Sequence, residues 1–412
     1  MRGSWFTIGA LLFLLLVAFV FPFLIGVPWD LVFSSDALDY STGAKNLLLH
    51  GFYTFDGVHP FIDREPVMST FLAVVYAFSG IENGVAVAAV QALILFFSAW
   101  FFVRRLSLIT GERAAGIAFF LILISGSVLH TVFSAYRECL LQSLLLIFTG
   151  YAIRRNDDPA WVPMLMGLLL GLIILTYYSF VFLPIFLLAA WLTERRSLRE
   201  LGIIFLIGGM TVSLWGFRNM SYDGHFRIID NRRTAVMWYV RGEQAEQIHG
   251  LEPFWCLYSE YISRNWDGRS SACSFNGLMH RRWPDGFDMQ KDYADVAAAG
   301  KAKILAHFPS YLWFSVFEVL ELHAPYVGGG WSRAFNVYAA FTQLLLGIGF
   351  LLGIFCLRDR RIAPVVFLAL YNTGAFILTD ATPRYMLPVF FCYAAIAGIG
   401  YNWLLQHTKQ RS

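Results

Sequence analysis

Long apolar stretches alternate along the chain with polar connections of varied length. Several fall short of the roughly 20 residues with which a helix crosses a bilayer comfortably. Their repeated occurrence nevertheless predicts a polytopic helical membrane protein. Two weaker stretches, at 67–80 and 309–324, are too short or too polar to predict spans. The stronger stretches occur at 5–25, 84–103, 113–134, 138–153, 160–177, 178–193, 200–217, 334–356, 361–379 and 384–405.

Basic residues in the polar connections predict an orientation. If all the stronger stretches span the membrane, every basic cluster falls on one side, which the positive-inside rule identifies as cytoplasmic. The connections 30–83 and 218–333 then lie on the extracytoplasmic side. The clusters are Arg104-Arg105 with Arg113, Arg154-Arg155, Arg195-Arg196 with Arg199, Arg358 to Arg361, and Lys409 with Arg411.

This topology predicts three regions. Residues 1–217 form an N-terminal transmembrane catalytic module that includes the first extracytoplasmic loop, 30–83. Residues 218–333 are too polar for lipid and too aromatic for disorder, so we expect an ordered extracytoplasmic cap with an interfacial helix. Residues 334–412 add the C-terminal transmembrane helices and a short cytoplasmic tail.

Composition supports a membrane protein and excludes other classes. Hydrophobic residues make up 58% of the 412 positions and charged residues only 14%, a balance that soluble domains rarely reach. The net charge of +3 and the absence of a basic stripe argue against a nucleic-acid partner. Cys256 and Cys273 lie in the long polar segment, where an oxidising compartment would permit a disulfide.

The stretch DALDYSTGAKNLLLHG, beginning at Asp36, predicts a short helix on the membrane surface. Ser35 or Asp36 makes a good N-cap for this helix, and Gly51 suits its C-terminal stop. Asp36 is therefore either a helix cap or a reactive carboxylate. Asp39, one turn later, is by default a solvated carboxylate.

Charged residues also occur at other predicted membrane boundaries. Arg64 precedes Glu65 and Pro66, and an arginine held by such a turn is well placed for a lipid phosphate, although it could simply reach toward headgroups. Arg137 and Glu138 stand at the junction of two apolar stretches, where ionisable side chains are functional candidates. An internal pair between these two is the structural alternative.

The topology brings all these charges to one membrane face. Several arginines near a few carboxylates suit an anionic lipid donor and a hydroxyl acceptor. A transporter would more naturally place its charges near the midplane of the bilayer. The converging residues are Asp36, Asp39, Arg64, Arg137, Glu138, Arg218 of WGFRN, and Asp380 and Arg384 of TDATPRYMLP.

In order and spacing, these motifs resemble the membrane glycosyltransferases of the GT-C superfold that use polyprenyl-phosphate sugars. The nearest families are the dolichyl-phosphate-mannose protein mannosyltransferases and the bacterial aminoarabinose transferases of lipid A. The resemblance departs from the family pattern at Ala37, where an acid often follows the aspartate, and at Leu214, where a proline is common. The matching motifs are Asp36 with Tyr40, HGFY, Arg64-Glu65-Pro66, RECLLQSLLLIF, GLLLGLIILTYY, WGFRN and RYMLP.

The resemblance implies an all-α GT-C bundle of about 10–12 transmembrane helices, with extracytoplasmic amphipathic helices and a small cap. It implies an inverting transfer of a hexosyl or pentosyl group from a polyprenyl-phosphate donor to a hydroxyl of a lipid, polysaccharide or protein. Asp36 would be the general base. The donor phosphate would be bound by Arg64, Arg384 and Arg218, and the substrate by Asp39, Tyr40, Glu138, Arg137 and Tyr385.

The predicted setting is the extracytoplasmic face of the plasma or inner membrane, in contact with membrane lipid. No residue spacing demands a cofactor, although the carboxylates could hold a divalent metal. Two other classes stay open: a transporter or flippase of lipid-linked glycans, and a structural subunit of an envelope-assembly complex.

Overall fold

The computed structural model describes residues 32–33, 36–62, 64–153, 158–229, 232–247, 293–323, 333–377 and 383–409. Within these residues the regular structure is helical, apart from an isolated antiparallel bridge between Thr54 and Pro60. Short 3₁₀ segments cover Tyr178–Phe182, Arg360–Ile362 and Pro383–Val389. The α-helices are α1 (Asp36–His50), α2 (Pro66–Ser79), α3 (Gly84–Thr110), α4 (Glu112–Ile124), α5 (Gly126–Val132), α6 (Arg137–Ala152), α7 (Val162–Thr176), α8 (Leu183–Glu194), α9 (Leu198–Asp223), α10 (Arg232–Gln247), α11 (Tyr293–Ala306), α12 (Phe308–Leu322), α13 (Arg333–Ile354), α14 (Ala363–Ile377) and α15 (Phe390–Lys409).

The chain forms two compact units. The first comprises Met1–Ile229, Val337–Tyr371 and Leu387–Ser412, and therefore includes α1 to α9 and α15. The second comprises Asp230–Asn336 and Asn372–Met386, and includes α10 to α12. The three regions expected from the sequence stay a prediction.

Four helices of the described chain are long and apolar enough to cross a membrane: α3, α9, α13 and the helix that ends in α15. The bent pair α4–α5 makes a fifth candidate, and shorter apolar helices cover Pro66–Ser79, Val162–Thr176 and Tyr178–Glu194. The outward face of α9 is apolar, with Leu206, Met210 and Leu214 exposed by 63%, 57% and 71%. Such a face suits lipid, so the chain is an integral membrane protein. The predicted first span, 5–25, lies outside the described residues.

The apolar stretch 113–134, which the sequence predicts as one helix, is broken at Ser125. α4 and α5 meet there at 57°, and the Ser125 side chain accepts a hydrogen bond from the Val128 N–H at 3.4 Å. α13 satisfies the backbone groups that the break leaves open. The hydroxyl of Thr342 accepts from the Gly126 N–H at 3.2 Å, and that of Tyr338 donates to the Ile124 carbonyl.

Small residues let α7 and α9 approach closely. Gly167 and Gly171 stand one turn apart on α7, in a small-xxx-small pattern typical of membrane helix contacts. A Cβ added at Gly171 would lie 2.5 Å from the Cβ of Thr211 on α9, and one at Gly167 only 2.8 Å from the Ile204 carbonyl oxygen. The GLLLG motif therefore has a packing role, and it fixes the position of the Tyr177–Tyr178 segment that follows α7.

Candidate active site

α1 begins at Asp36 and carries both acids of the DALDY motif in its first turn. Residues three apart on a helix share a face, so Asp36 and Asp39 lie side by side. Negative charge in a first turn also complements the helix dipole. The helix ends as expected: Gly51 has a φ of +76° and donates its N–H to the Leu47 carbonyl at 3.1 Å.

α1 packs its small residues inward and exposes leucines. Ala37, Tyr40 and Ala44 are buried against Met68 and Leu72 of α2, whereas Leu38 and Leu48 are exposed. This arrangement suits a helix at a membrane surface, which is amphipathic without being part of the bundle core.

The turn before α2 directs two neighbouring charged side chains, Arg64 and Glu65, to opposite sides. Pro66 opens α2, as the sequence predicts. Because a residue before proline is driven toward extended backbone, Glu65 adopts φ −66° and ψ 141°. Successive side chains of an extended segment point to opposite sides. Arg64 therefore faces α1, while Glu65 faces α6.

Arg64 joins the two acids of α1. Its Nη2 lies 2.5 Å from Asp36 Oδ1 and 2.7 Å from Asp39 Oδ2, and its Nε lies 2.9 Å from the same Asp39 oxygen. The guanidinium is buried at 6% exposure, whereas the Asp36 and Asp39 side chains are 25% and 23% exposed. We call Asp36, Asp39 and Arg64 the outer cluster.

Glu65 forms a second ion pair, deeper in the protein. Its Oε2 accepts from Arg137 Nη1 at 3.0 Å, and its Oε1 accepts from the Tyr178 N–H at 2.9 Å. Arg137 and Glu65 are only 7% and 5% exposed, and the Arg137 guanidinium lies 3.5 Å from the centre of the Tyr177 ring. Arg137 thus has an ion-pair partner in Glu65, which lies 72 positions away in the sequence. We call Glu65, Arg137 and Tyr177 the inner cluster.

Tyr40 lies between the two clusters. The Arg64 guanidinium is 5.3 Å from its ring centre, and its hydroxyl is buried without a hydrogen-bond partner in the described structure. Burial raises the pKa of the Tyr40 phenol well above its usual value, although Arg137 and Arg64 act to lower it. The phenol therefore keeps its proton at neutral pH, so it can donate a hydrogen bond.

Arg218 holds the loop between α1 and α2. α9 continues past the predicted end of its apolar stretch as far as Asp223. Arg218 donates through Nη2 to the Tyr53 carbonyl at 3.0 Å and through Nη1 to the Phe61 carbonyl at 3.2 Å. Its guanidinium also lies 4.6 Å from the Trp215 ring centre. These contacts fix the loop.

The remaining predicted site residues are distributed more widely. Glu138 is buried at the start of α6. Arg384 and Tyr385 belong to the second unit, where the Tyr385 ring stacks on Phe376 at 4.8 Å. Asp380, Cys256 and Cys273 lie outside the described residues. Sequence reasoning passed over Glu65 and Tyr177, although the Glu-Pro step was a usable signal for Glu65.

Potential metal ligands are sparse in the part of the chain that the structure describes. It contains no group of three or more histidine, cysteine, aspartate or glutamate side chains that could hold a metal ion. Asp36 and Asp39 are the carboxylate pair most open to solution within the two clusters. The predicted divalent metal therefore stays a prediction.

No family model matches this sequence, and no curated protein matches it either. Solved structures do. The archaeal oligosaccharyltransferase AglB from Archaeoglobus fulgidus, in complex with an inhibitory peptide and a dolichol-phosphate, aligns with a TM-score of 0.53 at 15% identity. The match covers 99% of this chain and 52% of AglB, so the chain spans about half the length of that enzyme.

Two further structures are similar. The apo form of the same oligosaccharyltransferase aligns with a TM-score of 0.53 at 15% identity, over 98% of this chain and 51% of that one. ArnT from Cupriavidus metallidurans, bound to undecaprenyl phosphate, aligns at 0.44 and 13% identity, over 97% and 78%. The likeness to AglB establishes the fold: this chain is an all-α membrane protein with the GT-C fold that the sequence resemblance implies.

Proposed function

We propose that this chain is a glycosyltransferase that moves a sugar from a polyprenyl-phosphate donor to a hydroxyl acceptor, with inversion at the anomeric carbon. The observation that carries the proposal is the outer cluster. Two partly exposed carboxylates are held by one buried guanidinium at the start of a surface helix. The GT-C fold supports the reaction class, and the dolichol-phosphate in AglB supports the donor class.

The proposed reaction is a single displacement. Asp36 accepts the proton of the acceptor hydroxyl, and the acceptor oxygen forms a bond to the anomeric carbon as its bond to the phosphate oxygen breaks. The electron pair leaves with the polyprenyl phosphate, whose oxygens require positive charge or hydrogen-bond donors nearby. General base catalysis of this kind contributes about 10²–10⁴-fold in rate.

Asp36 is the stronger candidate for the base because the family resemblance of the DALDY motif places the general base at this position. Arg64 donates to Asp39 through two of its nitrogens and to Asp36 through one, so it ties the two acids together. Asp39 then fixes Arg64, and Arg64 in turn orients Asp36.

Positive charge for the leaving phosphate comes first from Arg64, with Tyr40 as a neutral hydrogen-bond donor beside it. Arg218 is a further candidate for the phosphate, and its Nη atoms also donate to loop carbonyls and to the Asn219 side chain. Arg384 and Tyr385 remain candidates for binding the donor or the sugar. Glu138 and Arg137 are proposed to shape the sugar site from α6.

The acceptor and the membrane side belong to the same proposal. We propose a lipid, polysaccharide or protein hydroxyl as acceptor, and the extracytoplasmic face of the plasma or inner membrane as the location. The distribution of basic residues supports this side. The inhibitory peptide bound to AglB is a ligand of that enzyme only.

The proposal is tested with Asp36→Asn in cells that lack the gene. We expect the wild-type chain to restore a glycan seen by mass spectrometry of the cell envelope, and the variant to restore none at equal membrane abundance. The matched control is Glu112→Gln, an acid-to-amide change at the exposed start of α4, which should behave as wild type. Near-normal glycan in the Asp36 variant would sink the assignment.

The purified protein, reconstituted in proteoliposomes, separates a transferase from a flippase. A flippase moves lipid-linked sugar across the membrane without forming a new glycosidic bond. The total amount of intact sugar-linked lipid would therefore stay constant. We expect the purified protein in proteoliposomes to release polyprenyl phosphate from its sugar-linked form. Transport of labelled lipid without that release would favour the flippase.

A further inference from the structure

The 3₁₀ segment Pro383–Val389 contains the RYMLP motif, and the proline that ends this motif removes a hydrogen-bond donor. In a 3₁₀ helix each carbonyl accepts from the N–H three residues later. For Tyr385 that residue is Pro388, which has no N–H. The Tyr385 carbonyl therefore cannot form its regular hydrogen bond within the segment.

Asn372 of α14 supplies a donor to this carbonyl. Its Nδ2 lies 3.1 Å from the Tyr385 oxygen. Because a carbonyl oxygen only accepts, this contact fixes the orientation of the amide, with Nδ2 toward Tyr385 and Oδ1 away from it. Pro388 removes the local donor, and Asn372 replaces it from another helix.

α14 contacts Tyr385 at a second point, one helical turn later. The Phe376 ring stacks on the Tyr385 ring, with the centres 4.8 Å apart and the planes 23° apart. Residues four apart on a helix share a face, so one face of α14 holds both the carbonyl and the ring of Tyr385. The Arg384 guanidinium lies 5.5 Å from the centre of the same ring. The position of Tyr385 therefore sets one contact of the neighbouring arginine.

The C-terminal end of α14 is itself anchored within the second unit. Arg241 of α10 donates through Nη2 to the Ile377 carbonyl at 2.5 Å, and its Nη1 pairs with Glu318 of α12 at 2.7 Å. The two charged side chains are 3% and 5% exposed. A cation at a helix C-terminus also complements the helix dipole. Asn372 and Phe376 therefore project from an anchored helix end.

The stability of the fold does not explain an asparagine at position 372. The residue is fully buried, and its Oδ1 has no hydrogen-bond partner in the described part of the chain. A buried polar atom without a partner costs at least as much as one neutral hydrogen bond contributes on net. A leucine, which has a similar size, would avoid that cost. We therefore expect the benefit of Asn372 in the geometry of Tyr385 rather than in the free energy of unfolding.

We propose that Asn372 is a positioning residue, which fixes the RYMLP segment so that the Arg384 guanidinium binds the phosphate of the polyprenyl-phosphate donor. The Oδ1 atom is enclosed by protein, so Asn372 acts through Tyr385 and not by contact with the donor. The inference rests on the proposed function, in which Arg384 is a candidate for binding the donor.

The test compares Asn372→Leu with the wild-type full chain, purified in detergent. Undecaprenyl phosphate is the probe for phosphate binding, and amide hydrogen exchange reports the order of residues 384–387. We expect the affinity to fall about fivefold, in line with one lost hydrogen bond, and the amides at 384–387 to exchange faster. The free energy of unfolding should stay at or above the wild-type value. A purely structural asparagine would instead lower that free energy and leave the affinity of the folded protein unchanged.

The matched control is Asn402→Leu on α15. The Asn402 Oδ1 is likewise buried without a hydrogen-bond partner among the residues that the structure describes. Asn402 lies about 18 Å along α15 from Phe390, at 1.5 Å of rise per residue. The same substitution there should leave both the affinity and the exchange at 384–387 unchanged.

A second variant keeps the test decisive if Asn372→Leu folds poorly. Pro388→Ala introduces the N–H that the proline lacks, so the Tyr385 carbonyl regains a donor within its own segment. Adding Pro388→Ala to Asn372→Leu should therefore restore most of the affinity and slow the exchange again. Wild-type affinity and exchange in Asn372→Leu, or no recovery on adding Pro388→Ala, would overturn the proposal.

Arg384→Gln separates this inference from the proposed function. The variant should bind undecaprenyl phosphate about tenfold more weakly, and Asn372→Leu should add little to that loss because both changes act on the same contact. If Arg384→Gln weakens binding and Asn372→Leu does not, the positioning role fails while the donor assignment stands. If Arg384→Gln leaves the affinity unchanged, the assignment of the phosphate to Arg384 is wrong, and the positioning role falls with it.

Discussion

The outer and inner clusters contain the same chemistry in different surroundings. Both join a guanidinium to carboxylates at distances of 2.5–3.0 Å. In the inner cluster both partners are buried, whereas in the outer cluster only Arg64 is buried and the acids are about a quarter exposed. An ion pair whose two partners are both buried suits a structural role. An ion pair whose carboxylates are partly exposed suits the exchange of protons with a substrate.

The outer and inner clusters are joined by a single peptide bond. Arg64 and Glu65 are neighbours, and the extended backbone before Pro66 directs them to opposite sides. One turn therefore couples the position of Asp36 and Asp39 to the packing of α6. The comparison teaches that the inner cluster should control stability and the outer cluster should control activity.

Arg137→Gln should have the largest effect on stability. It leaves the Glu65 carboxylate buried without its cation, which costs about 3–5 kcal/mol. The measurement is the free energy of unfolding in detergent. Adding Glu65→Gln to the same chain removes the isolated charge and keeps an acceptor for the Tyr178 N–H, so most of the loss should be recovered. If the single and double variants have the same free energy of unfolding, the inner cluster does not have the stabilising role predicted here.

Arg64→Lys should have the next largest effect, and on activity. A lysine ammonium is a compact charge and cannot reproduce the fork that spans Asp36 and Asp39. We expect kcat to fall about tenfold, which corresponds to about 1.4 kcal/mol, with a small change in unfolding. If the variant instead loses stability as Arg137→Gln does, the division between the clusters fails.

Arg218→Gln should loosen the loop between α1 and α2. The variant loses hydrogen bonds to the Tyr53 and Phe61 carbonyls, at a cost of about 1 kcal/mol. Amide hydrogen exchange should accelerate across 51–62 and stay unchanged in α6. A large loss of donor binding without faster exchange would show instead that Arg218 contacts the phosphate.

Asp39→Asn should have the smallest effect. An amide oxygen still accepts from Arg64, so the guanidinium stays near Asp36, and we expect sugar transfer to fall by only a few-fold, equivalent to less than about 1 kcal/mol. The readout is kcat compared with Asp36→Asn at equal membrane abundance. If the two variants are equally inactive, the assignment of the base to Asp36 alone is wrong.

Local sequence patterns were sufficient to predict several features of the structure. The end of α1 followed from Gly51 and the start of α2 from Pro66, because a C-terminal glycine and a first-turn proline act through their immediate backbone. The membrane class followed from apolar length, which reflects the thickness of the bilayer. The GT-C fold followed from the order of the motifs, and the likeness to AglB confirms it.

Contacts between distant parts of the chain were decided only by the tertiary structure. Arg137 pairs with Glu65 across 72 positions, and the bend at Ser125 depends on Tyr338 and Thr342 far along the sequence. Hydropathy reports what each residue prefers to contact, but not which partner is within reach. The sequence by itself therefore predicts that charges gather at one membrane face, and the packing of α1, α2, α6 and α7 decides that Arg64 pairs with Asp36 and Asp39 while Arg137 pairs with Glu65.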